Sequence, residues 1–414
     1  MTARPTAGFG DRLRALRLRR GLAQKDLAGP GVSTSYVSRL ESGERAPSPQ
    51  VVAHLAAALG VEPAELVGRA PAVEQRQALL WCEAVLAHRD GETARAVSLL
   101  DELGGVAEEP MFGWSVRWTR AALLARGQEP ERLIVATEEL LDSWSPGAAV
   151  DALVEVMRAA ALRQLGRTAE AVHAVRTAVA LTEDPQDPLT AATHLRCLVA
   201  LCSELARAAR LAEAEEAVQQ LALALRDAEP DRVAVSGWWV KAQVEDRLGR
   251  RAEASESIAT AQRLLDSVDV EPQFRHRVSL AAVAIGLRAE EPEVAELTRV
   301  LNGVAASVAP RSQLAAQVDA LRGEMALRTG DARAAWDLAG RALEVGTLDH
   351  EDELRCRVLL VRAAVELADA ERLREARSEL ADLLERLGSV SIDPALWRNV
   401  AQLALRAVVP GRSD

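Results

Sequence analysis

The sequence predicts an all-α protein, with a small N-terminal domain of five short helices followed by a long stack of helical hairpins. Three observations favour this fold class. The first 70 residues contain short apolar segments bounded by residues that begin or end helices. From about residue 72, Val, Ile and Leu recur every three or four residues, which is the helical period. A junction of the form Leu-Gly-x-x-x-x-Ala also recurs there, which indicates repeated helix pairs.

The N-terminal helices are predicted from their ends and their inner faces. The third begins at Ser33, whose hydroxyl can accept hydrogen bonds from the first-turn amides, and ends at Gly43, which favours a left-handed backbone. Similar signals end the first helix at Gly21 and place the second over residues 24–28, the fourth between Ser48 and Gly60, and the fifth after Glu62. The inner faces are predicted to hold Leu13, Leu16, Leu18, Leu27, Val37, Leu40, Val51, Val52, Leu55, Leu59 and Leu66.

The third helix carries a polar outer face at its start. With Val37 and Leu40 turned inward, the side chains that point out are Thr34, Ser35, Ser38 and Arg39. An exposed helix start with short hydroxyls and one Arg suits the major groove of DNA. The alternative for any one of the four is an ordinary solvated surface position.

This segment also carries a family resemblance. Residues 9–67 resemble the five-helix helix-turn-helix domain of the phage-repressor (Cro/C1, or XRE) type, above all in the Val-Ser-x-Ser-x-Val-Ser-x-Leu-Glu-x-Gly run over 32–43 and the Leu-Ala-x-Ala-Leu-Gly-Val run over 55–61. One departure is Ala23, which stands where family members often have a Thr or Ser cap. The resemblance implies that residues 1–70 form a DNA-binding domain.

The resemblance assigns roles to individual residues. It implies that Arg17 and Glu41 form a structural ion pair that reads no sequence. It places the contacts to base edges at Thr34, Ser35, Ser38 and Arg39, and the contacts to phosphates at Gln24, Lys25, Ser42 and Arg45.

The charge distribution agrees with a DNA-binding N-terminus. Residues 1–69 hold ten Arg or Lys against six Asp or Glu, a net charge of +4, and the whole chain carries −11. The remaining residues therefore carry −15, which confines the attraction for phosphates to one end of the chain.

The rest of the chain, residues 71–414, is predicted to be a helical repeat domain. The junction recurs at 165–171, 208–214 and 248–254, with further copies at Gly91, Gly127 and Gly330 and weaker ones near Glu290 and Glu371. The mean period of about 40 residues predicts eight hairpins, with a closing helix over 394–408. The junction resembles a tetratricopeptide repeat, although the period is longer than the usual 34, so HEAT-like pairing is the alternative.

Tryptophans recur at equivalent places in this region. Trp81, Trp118 and Trp239 each precede their junction glycine by nine or ten residues, in the first helix of a hairpin, and Trp238 is adjacent. The first helices of such stacks line a concave face, so these rings could form a ligand groove together with Gln243, Asp246 and Arg163. The alternative is that each Trp is an anchor packed between hairpins.

Several classes of site are disfavoured. The sequence shows no signal peptide, no apolar run of membrane-spanning length and no CxxC pair, which predicts a cytoplasmic protein with reduced thiols. His194, Cys197 and Cys202 could share a helical face and bind a metal, but a fourth ligand is missing. No phosphate-binding glycine loop or nucleophile motif is present, so we expect neither an enzyme nor a cofactor.

The architecture as a whole resembles Gram-positive regulators whose repeat domain receives a re-imported peptide, and actinobacterial regulators with other signals. That resemblance implies a cytoplasmic transcription regulator with a peptide or small-molecule effector, as in quorum sensing. One helix-turn-helix unit buries little surface, so we expect a homodimer on a palindromic or repeated operator. In the alternative, the repeats recruit a protein partner and bind no small ligand.

Overall fold

The structure is a computed structural model that describes residues 8–68, 72–105, 109–127, 129–184, 187–289, 291–346 and 348–387, together with 396, 400 and 401. Every regular element in these residues is a helix, apart from one isolated β-bridge between Gly29 and Val32. Contacts within the chain group it into two compact units, Met1–Leu123 and Leu124–Asp414. The predicted all-α fold class is confirmed.

The first unit begins with five short segments over residues 9–66 and continues into longer helices. The elements are α1 (Phe9–Arg19), a 3₁₀ turn (Gln24–Leu27), α2 (Thr34–Glu41), α3 (Pro49–Leu59), α4 (Pro63–Leu66), α5 (Ala72–Arg89), α6 (Thr93–Gly104) and α7 (Pro110–Leu124), whose last residue belongs to the second unit.

The five N-terminal segments share one core. Leu13, Leu27, Val37, Leu40 and Leu55 are all fully buried in it, as the sequence predicted. The prediction for Leu18 was wrong: its side chain is 58% exposed, because the buried face of α1 follows Leu13 and Leu16.

The second segment differs from the predicted helix. It is a single 3₁₀ turn, in which the backbone N–H of Ala23 donates to the carboxylate of Asp26 at 2.7 Å. This contact is the half of a capping box that the third residue supplies, whereas Ala23 has no side-chain oxygen to supply the other half. Gly29 and Val32 then exchange two backbone hydrogen bonds of 2.9 Å around Pro30-Gly31, and Gly31 has φ +78°. Pro followed by a left-handed Gly is the sequence of a type II turn.

The predicted helix boundaries at α2 and α3 are present. Ser33 Oγ accepts from the Tyr36 amide at 3.2 Å, and Ser48 Oγ accepts from the Val51 amide at 3.4 Å. Gly43 and Gly60 follow the two helices with φ +77° and +64°. These caps fix where α2 starts, and therefore which of its side chains lie outside the core.

The second unit is a stack of helices in the order α8 (Pro130–Asp142), α9 (Ala148–Gln164), α10 (Thr168–Ala180), α11 (Pro188–Arg207), α12 (Leu211–Ala224), α13 (Arg232–Arg247), α14 (Arg251–Leu265), α15 (Pro272–Leu287), α16 (Val294–Ala305), α17 (Gln313–Arg328), α18 (Ala332–Glu344), α19 (His350–Glu366) and α20 (Ala370–Leu387). In the described part of the chain, α5 and α6 pair in the first unit, and six further hairpins run from α9–α10 to α19–α20 in the second unit. The helices α5 to α20 number sixteen, as eight predicted hairpins require, but α7 and α8 fall in different units.

The turns inside the hairpins fall at the predicted junctions. Gly91, Gly166, Gly249 and Gly330 all have positive φ there. Ala209 takes the same left-handed conformation, with φ 53°. In the last hairpin the left-handed residue is Ala368, three residues before the predicted Glu371. The junction residue Glu290 and all of the closing helix predicted over 394–408 except Leu396, Val400 and residue 401 lie outside the described residues.

One described helix, α11, is long and apolar enough by length and composition to cross a membrane, whereas the sequence analysis found no such run. Half of this helix is buried inside the protein, where it packs against α9, α12 and α13. Buried Cys197, Leu198 and Cys202 lie along it, and Glu204 is buried near its end. These contacts make α11 a core helix of the stack.

Candidate nucleic-acid interface and ligand groove

The outer face of α2 carries the four residues predicted to read base edges. Thr34, Ser35, Ser38 and Arg39 are all exposed, while Val37 and Leu40 between them are fully buried. The side chain of Arg39 has no hydrogen bond or ion pair to any described residue, so its guanidinium is available to an external acceptor. The arrangement offers hydroxyls and one cation from a helix held firmly by its core.

An ion pair ties α1 to the end of α2. Arg17 donates to both carboxylate oxygens of Glu41, at 2.6 and 3.0 Å, and to the Leu22 carbonyl at 2.9 Å. The side chains of Arg17 and Glu41 are only 10% and 4% exposed. A third donor, the Gln24 amide, reaches the same carboxylate at 2.8 Å. The pair therefore joins three segments of the domain and faces inward.

The protonation of Glu41 reflects these contacts. Burial alone would raise the pKa of its carboxyl, but the hydrogen bonds from Arg17 and Gln24 outweigh burial and hold the pKa below its ordinary value. The bond to Glu41 likewise raises the pKa of Arg17. Both groups remain charged at neutral pH.

The side chains predicted to contact phosphates lie in different environments. Lys25 and Arg45 are exposed. Ser42 is exposed and donates its hydroxyl to the Arg39 carbonyl at 3.2 Å. Gln24 is half-buried and donates one side-chain amide N–H to Glu41. Its other side-chain N–H can donate to a phosphate.

Sequence reasoning missed a close approach between α1 and α2. A Cβ at Gly10 would lie 2.4 Å from the Leu40 carbonyl oxygen and 2.7 Å from that of Glu41. Only glycine lets α1 cross the end of α2 at this distance. The only signal in the sequence is a glycine in the first turn of a helix, where it lowers helix propensity.

The second unit contains a groove lined by the first helices of five successive hairpins. A cavity of about 300 Å³ is lined by residues of α11, α13, α15, α17 and α19 or adjoining their ends. A second cavity of about 390 Å³ shares Asp246, Arg247, Arg288, Glu324 and Arg355 with the first, so the two are continuous. The lining of the first mixes five cations with five anions: Arg207, Arg247, Arg277, Arg288, Arg355, Asp246, Glu324, Asp349, Glu351 and Asp352.

The structure brings three of the predicted groove residues together. Trp239, Gln243 and Asp246 line the first cavity along α13. Trp239 is half-buried and packs edge-on against Phe274, with ring centroids 6.1 Å apart. Asp246 is bonded to Arg288, with a closest distance of 2.7 Å.

The other predicted groove residues lie elsewhere. Trp238 packs against Lys241, whose Nζ lies 5.5 Å from the ring centroid. Trp81 packs on Phe112 with centroids 6.1 Å apart, and Trp118 stacks on Trp114 at 5.4 Å, all within the first unit. Arg163 donates to Glu204 at 2.6 Å in the second unit. Trp81, Trp118 and Trp238 thus make the ring contacts expected of packing anchors.

Sequence reasoning missed most of the cations of this groove, although they follow the repeat. Arginines occupy the last turn or the end of five successive first helices; we call them the arginine series: Arg163, Arg207, Arg247, Arg288 and Arg328. Arg247 donates to the Ala206 carbonyl at 2.8 Å, and Arg328 to the Leu287 carbonyl. Each thereby caps the preceding first helix, where free carbonyls remain. The spacing of about 40 residues was the available signal.

One ion pair of the groove spans three hairpins. Arg247, at the end of α13, donates to both oxygens of Glu351, at the start of α19, at 2.9 and 3.2 Å. Arg355 donates to the same carboxylate at 2.8 Å. Burial would raise the pKa of Glu351, but Arg355 and Arg247 outweigh it and the pKa lies below its ordinary value. The pair links α13 directly to α19.

The residues weighed as a metal site make other contacts. His194 Nδ1 shares a hydrogen bond of 3.0 Å with the Thr182 hydroxyl. Burial raises the pKa of Cys197 to about 11 and that of Cys202 to about 12, so both side chains are thiols at neutral pH. Within the described ranges no group of His, Cys, Asp and Glu is arranged to hold a metal ion.

Comparison with known proteins identifies the N-terminal fold. A family model described as a helix-turn-helix domain matches residues 9–67. No curated protein matches the chain.

Solved structures match the helical stack. A Rap protein complexed with competence and sporulation factor has a TM-score of 0.51 at 13% identity, over 80% of this chain and 96% of that chain. A tetratricopeptide repeat protein from Parabacteroides merdae has a TM-score of 0.49 at 13% identity, over 69% and 99%. PlcR of Bacillus thuringiensis, in complex with the peptide PapR7 and DNA, has a TM-score of 0.35 at 18% identity, over 63% and 95%. The Rap likeness shows a shared fold.

The matched domain has an exposed polar face on its third helical segment, the segment that enters the major groove in helix-turn-helix domains. The chain therefore carries an N-terminal helix-turn-helix domain of the XRE type, followed by tetratricopeptide-like helical repeats.

Proposed function

We propose that the protein is a sequence-specific, homodimeric transcription regulator of the cytoplasm, with residues 1–70 binding duplex DNA and residues 71–414 sensing a ligand. The observation that carries the proposal is the outer face of α2. Its exposed hydroxyls and the unpaired Arg39 stand on a helix that a buried ion pair and a full core hold in place. Such a helix fits the major groove with its N-terminal residues on base edges.

Roles within this face follow from side-chain chemistry. Arg39 can donate two parallel hydrogen bonds to a guanine, whereas Thr34, Ser35 and Ser38 suit single bonds or contact with a thymine methyl. Lys25, Arg45, Ser42 and the free N–H of Gln24 surround this surface with phosphate ligands, which fix orientation without reading sequence.

A binding-site selection with the full-length protein tests the DNA-binding proposal. Arg39→Ala should relax preference at one base position and cost about 1–3 kcal/mol on the selected site. Lys25→Ala should weaken binding to all sequences alike and reduce its salt dependence. The matched control is Arg19→Ala, an exposed arginine of α1 outside the proposed interface. An Arg39→Ala protein with unchanged preference and affinity would remove Arg39 from the base-reading set.

Homodimerisation is supported by an apolar stripe on α5. Leu79, Cys82 and Leu86 recur at three- and four-residue spacing and are all exposed, and Val85 lies beside them. The side chains of Leu79, Val85 and Leu86 are 64%, 50% and 41% exposed. Such spacing forms a seam between paired helices. The stripe follows the DNA-binding domain directly, so pairing of two α5 helices would bring two such domains onto neighbouring half-sites.

Thiol cross-linking tests this pairing, because Cys82 is the one exposed cysteine of the four. A short bis-maleimide should join two chains through Cys82, more efficiently when operator DNA is present. Leu79→Glu should abolish the cross-link and weaken DNA binding. Leu189→Glu is the control, since Leu189 is a lone leucine of α11 with 77% exposure. A dimer that forms without cross-linking, and survives Leu79→Glu, would place the interface elsewhere.

Ligand sensing is supported by the groove of the second unit. Its walls combine the half-buried Trp239 with a mixture of opposite charges over two continuous cavities. A small flat apolar ligand needs an enclosed apolar pocket, whereas an extended open groove of alternating charge suits a peptide. A stack of this fold is complexed with competence and sporulation factor in the Rap structure. The proposal for this chain rests on its own groove residues.

Native mass spectrometry of the full-length protein from its own cells tests for a bound effector. Trp239→Ala should lose the bound molecule and the transcriptional response, while the ligand-free protein still binds DNA. If the Trp239→Ala protein keeps both the bound molecule and the transcriptional response, Trp239 does not contact the effector. If Trp239→Ala loses no small molecule but loses a co-purified protein, the alternative stands, in which the open charged groove recruits a protein segment.

A further inference from the structure

The arginine series contains one member without a partner. Arg163, Arg247, Arg288 and Arg328 each donate to a carboxylate or a carbonyl of a neighbouring first helix. Arg207 occupies the equivalent place at the end of α11 and lines the first cavity. It makes no hydrogen bond or ion pair with any residue that the structure describes.

The surroundings of Arg207 disfavour an isolated charge. Its side chain is open to solvent, because it faces the groove. The protein around the groove nevertheless desolvates it, and this burial lowers the pKa of Arg207. Arg163 and Arg247 lower that pKa further, whereas Glu204 and Asp349 offset the shift in part. Arg207 is therefore a cation whose environment leaves it short of negative charge.

The carboxylates near Arg207 already accept hydrogen bonds from other groups, although one oxygen of Glu204, Oε2, has no partner among the described residues. Glu204 accepts from Arg163 at 2.6 Å, and Glu351 accepts from Arg247 and Arg355. Asp349 caps α19, where its Oδ1 accepts from the Asp352 amide at 2.9 Å. An anionic group of a ligand could therefore form the ion pair with Arg207 that these carboxylates do not form.

We propose that Arg207 is the anchor for a carboxylate group of the effector in this groove, and that this carboxylate completes the arginine series in the bound state. The proposal rests on the ligand-sensing function proposed above and adds the chemistry of the ligand. A guanidinium and a carboxylate match in a bidentate, charge-assisted pair. For a peptide effector the carboxylate would be its free C-terminus or an acidic side chain.

The charge of the groove favours a carboxylate over a phosphate. The first cavity holds as many acidic as basic residues, and most of its arginines are already paired. Two arginines of this lining, Arg207 and Arg277, have no hydrogen bond or ion pair to a described residue, and only Arg207 belongs to the arginine series. The single unpaired guanidinium at the end of α11 matches one negative charge. A phosphate group with a charge near −2 would meet repulsion from Asp349, Glu351 and Asp352 without a second spare guanidinium at Arg207. A monoanion avoids that repulsion.

Thermal unfolding of the full-length, ligand-free protein gives the first test. Arg207→Gln should raise the melting temperature of the repeat region slightly, because it removes an unpaired positive charge that Arg163 and Arg247 repel and that serves only binding. Arg247→Gln should lower it, since it breaks the bonds to Ala206 and Glu351. Arg226→Gln, at an exposed arginine following α12 and outside both cavities, is the control.

The same measurement decides the main rival. One carboxylate oxygen of Glu204, Oε2, is buried without a hydrogen-bond partner, so Arg207 could serve the fold by swinging to it. In that case Arg207→Gln would lower the melting temperature as Arg247→Gln does. A lowered melting temperature therefore overturns the proposal, and a raised one supports it.

Simple anions give the second test and identify the chemical class. At constant ionic strength, replacing chloride by acetate should raise the melting temperature of the wild type more than that of Arg207→Gln. Replacement by inorganic phosphate should produce no such difference between the two proteins. A difference with phosphate alone, or an equal response of both proteins to acetate, overturns the carboxylate assignment.

These outcomes separate this proposal from the sensing function itself. If the protein from its own cells carries an effector that Arg207→Gln retains and Trp239→Ala loses, sensing stands and the carboxylate anchor fails. If neither variant changes what is bound, the groove itself is in question. Loss of the effector from Arg207→Gln, with the melting temperature raised, supports both.

Discussion

The helix-turn-helix domain and the repeat region use charge and packing in different ways. In residues 9–67 one core joins five short segments, and one ion pair, Arg17–Glu41, bridges three of them. In the repeat region, hairpins pack mainly on their neighbours, and charges line an open groove. A single residue in the first region therefore acts on the whole domain, whereas a single residue in the second acts on one or two hairpins.

The largest effect predicted by this comparison is at Glu41. Glu41→Ala should lower the local unfolding free energy of residues 9–67 by about 3–5 kcal/mol, because it leaves Arg17 buried and unpaired. Hydrogen exchange of the full-length protein measures this region by itself. Glu44→Ala, at an exposed glutamate three residues later, should leave exchange unchanged. Equal hydrogen-exchange protection in the two variants would mean that the Arg17–Glu41 pair does not stabilise the domain.

A second prediction concerns the close approach at Gly10. Gly10→Ala should destabilise the same region by about 1–3 kcal/mol, because the new Cβ would press on the carbonyls of Leu40 and Glu41. Hydrogen exchange over α1 and α2 and DNA affinity should change together, since α2 carries the DNA-contacting face. Normal protection after this change would show that α1 can move aside without cost.

Two buried glutamates, one in each region, should respond to pH with opposite signs. The pKa of Glu41 is lowered, so its contribution to stability is present above its ordinary value of 4.5 and is lost as pH falls through the lower folded value. Burial raises the pKa of Glu155 in α9, although Arg158 offsets this in part. Its contribution is present at low pH and is lost as pH rises through the folded value.

Glutamine variants at these two positions test the signs by hydrogen exchange. Glu41→Gln should be less stable than the wild type at pH 7, by roughly 1–3 kcal/mol for a lost charged hydrogen bond. Glu155→Gln should be slightly more stable at pH 7. The Glu41 difference should shrink as the pH falls below about 4.5, whereas the Glu155 difference should shrink as the pH falls through its raised folded pKa and be lost by about 4.5. A Glu155→Gln protein that is less stable at pH 7 would mean that the contact with Arg158 outweighs burial.

The smallest predicted effect lies in the repeats. A Cβ at Gly340, inside α18, would meet nothing within 4 Å. Gly340→Ala should therefore stabilise this hairpin by about 0.5–1 kcal/mol through helix propensity alone. Comparison with Gly10→Ala separates a glycine that the packing requires from one that it does not. A loss of stability at Gly340 would point to a contact made only in the assembled protein.

The same contrast explains what the sequence could predict. The caps Ser33 and Gly43 act on residues within a few positions, so their roles could be predicted from the neighbouring sequence alone. The hairpins were predictable because the junction repeats. The 3₁₀ turn at Gln24–Leu27 was not, since the same residue types also suit a short α-helix and only the absence of a capping side chain at Ala23 marks the difference. The groove partners of Trp239 come from hairpins as far along the chain as Arg355, and no local pattern encodes which member of the arginine series remains unpaired.

The ion pair between Arg247 and Glu351 has a consequence for how the repeats come apart. In a stack with contacts only between neighbours, opening can start at an end and proceed one hairpin at a time. A bond between residues 104 positions apart closes a loop around the intervening hairpins. The helices α19 and α20 can then unfold from the C-terminal end only after the Arg247–Glu351 pair has broken. Until that pair breaks, the unfolding segment gains little conformational entropy. We expect α13 to α20 to exchange with solvent as one cooperative block rather than as a gradient from the C-terminal end.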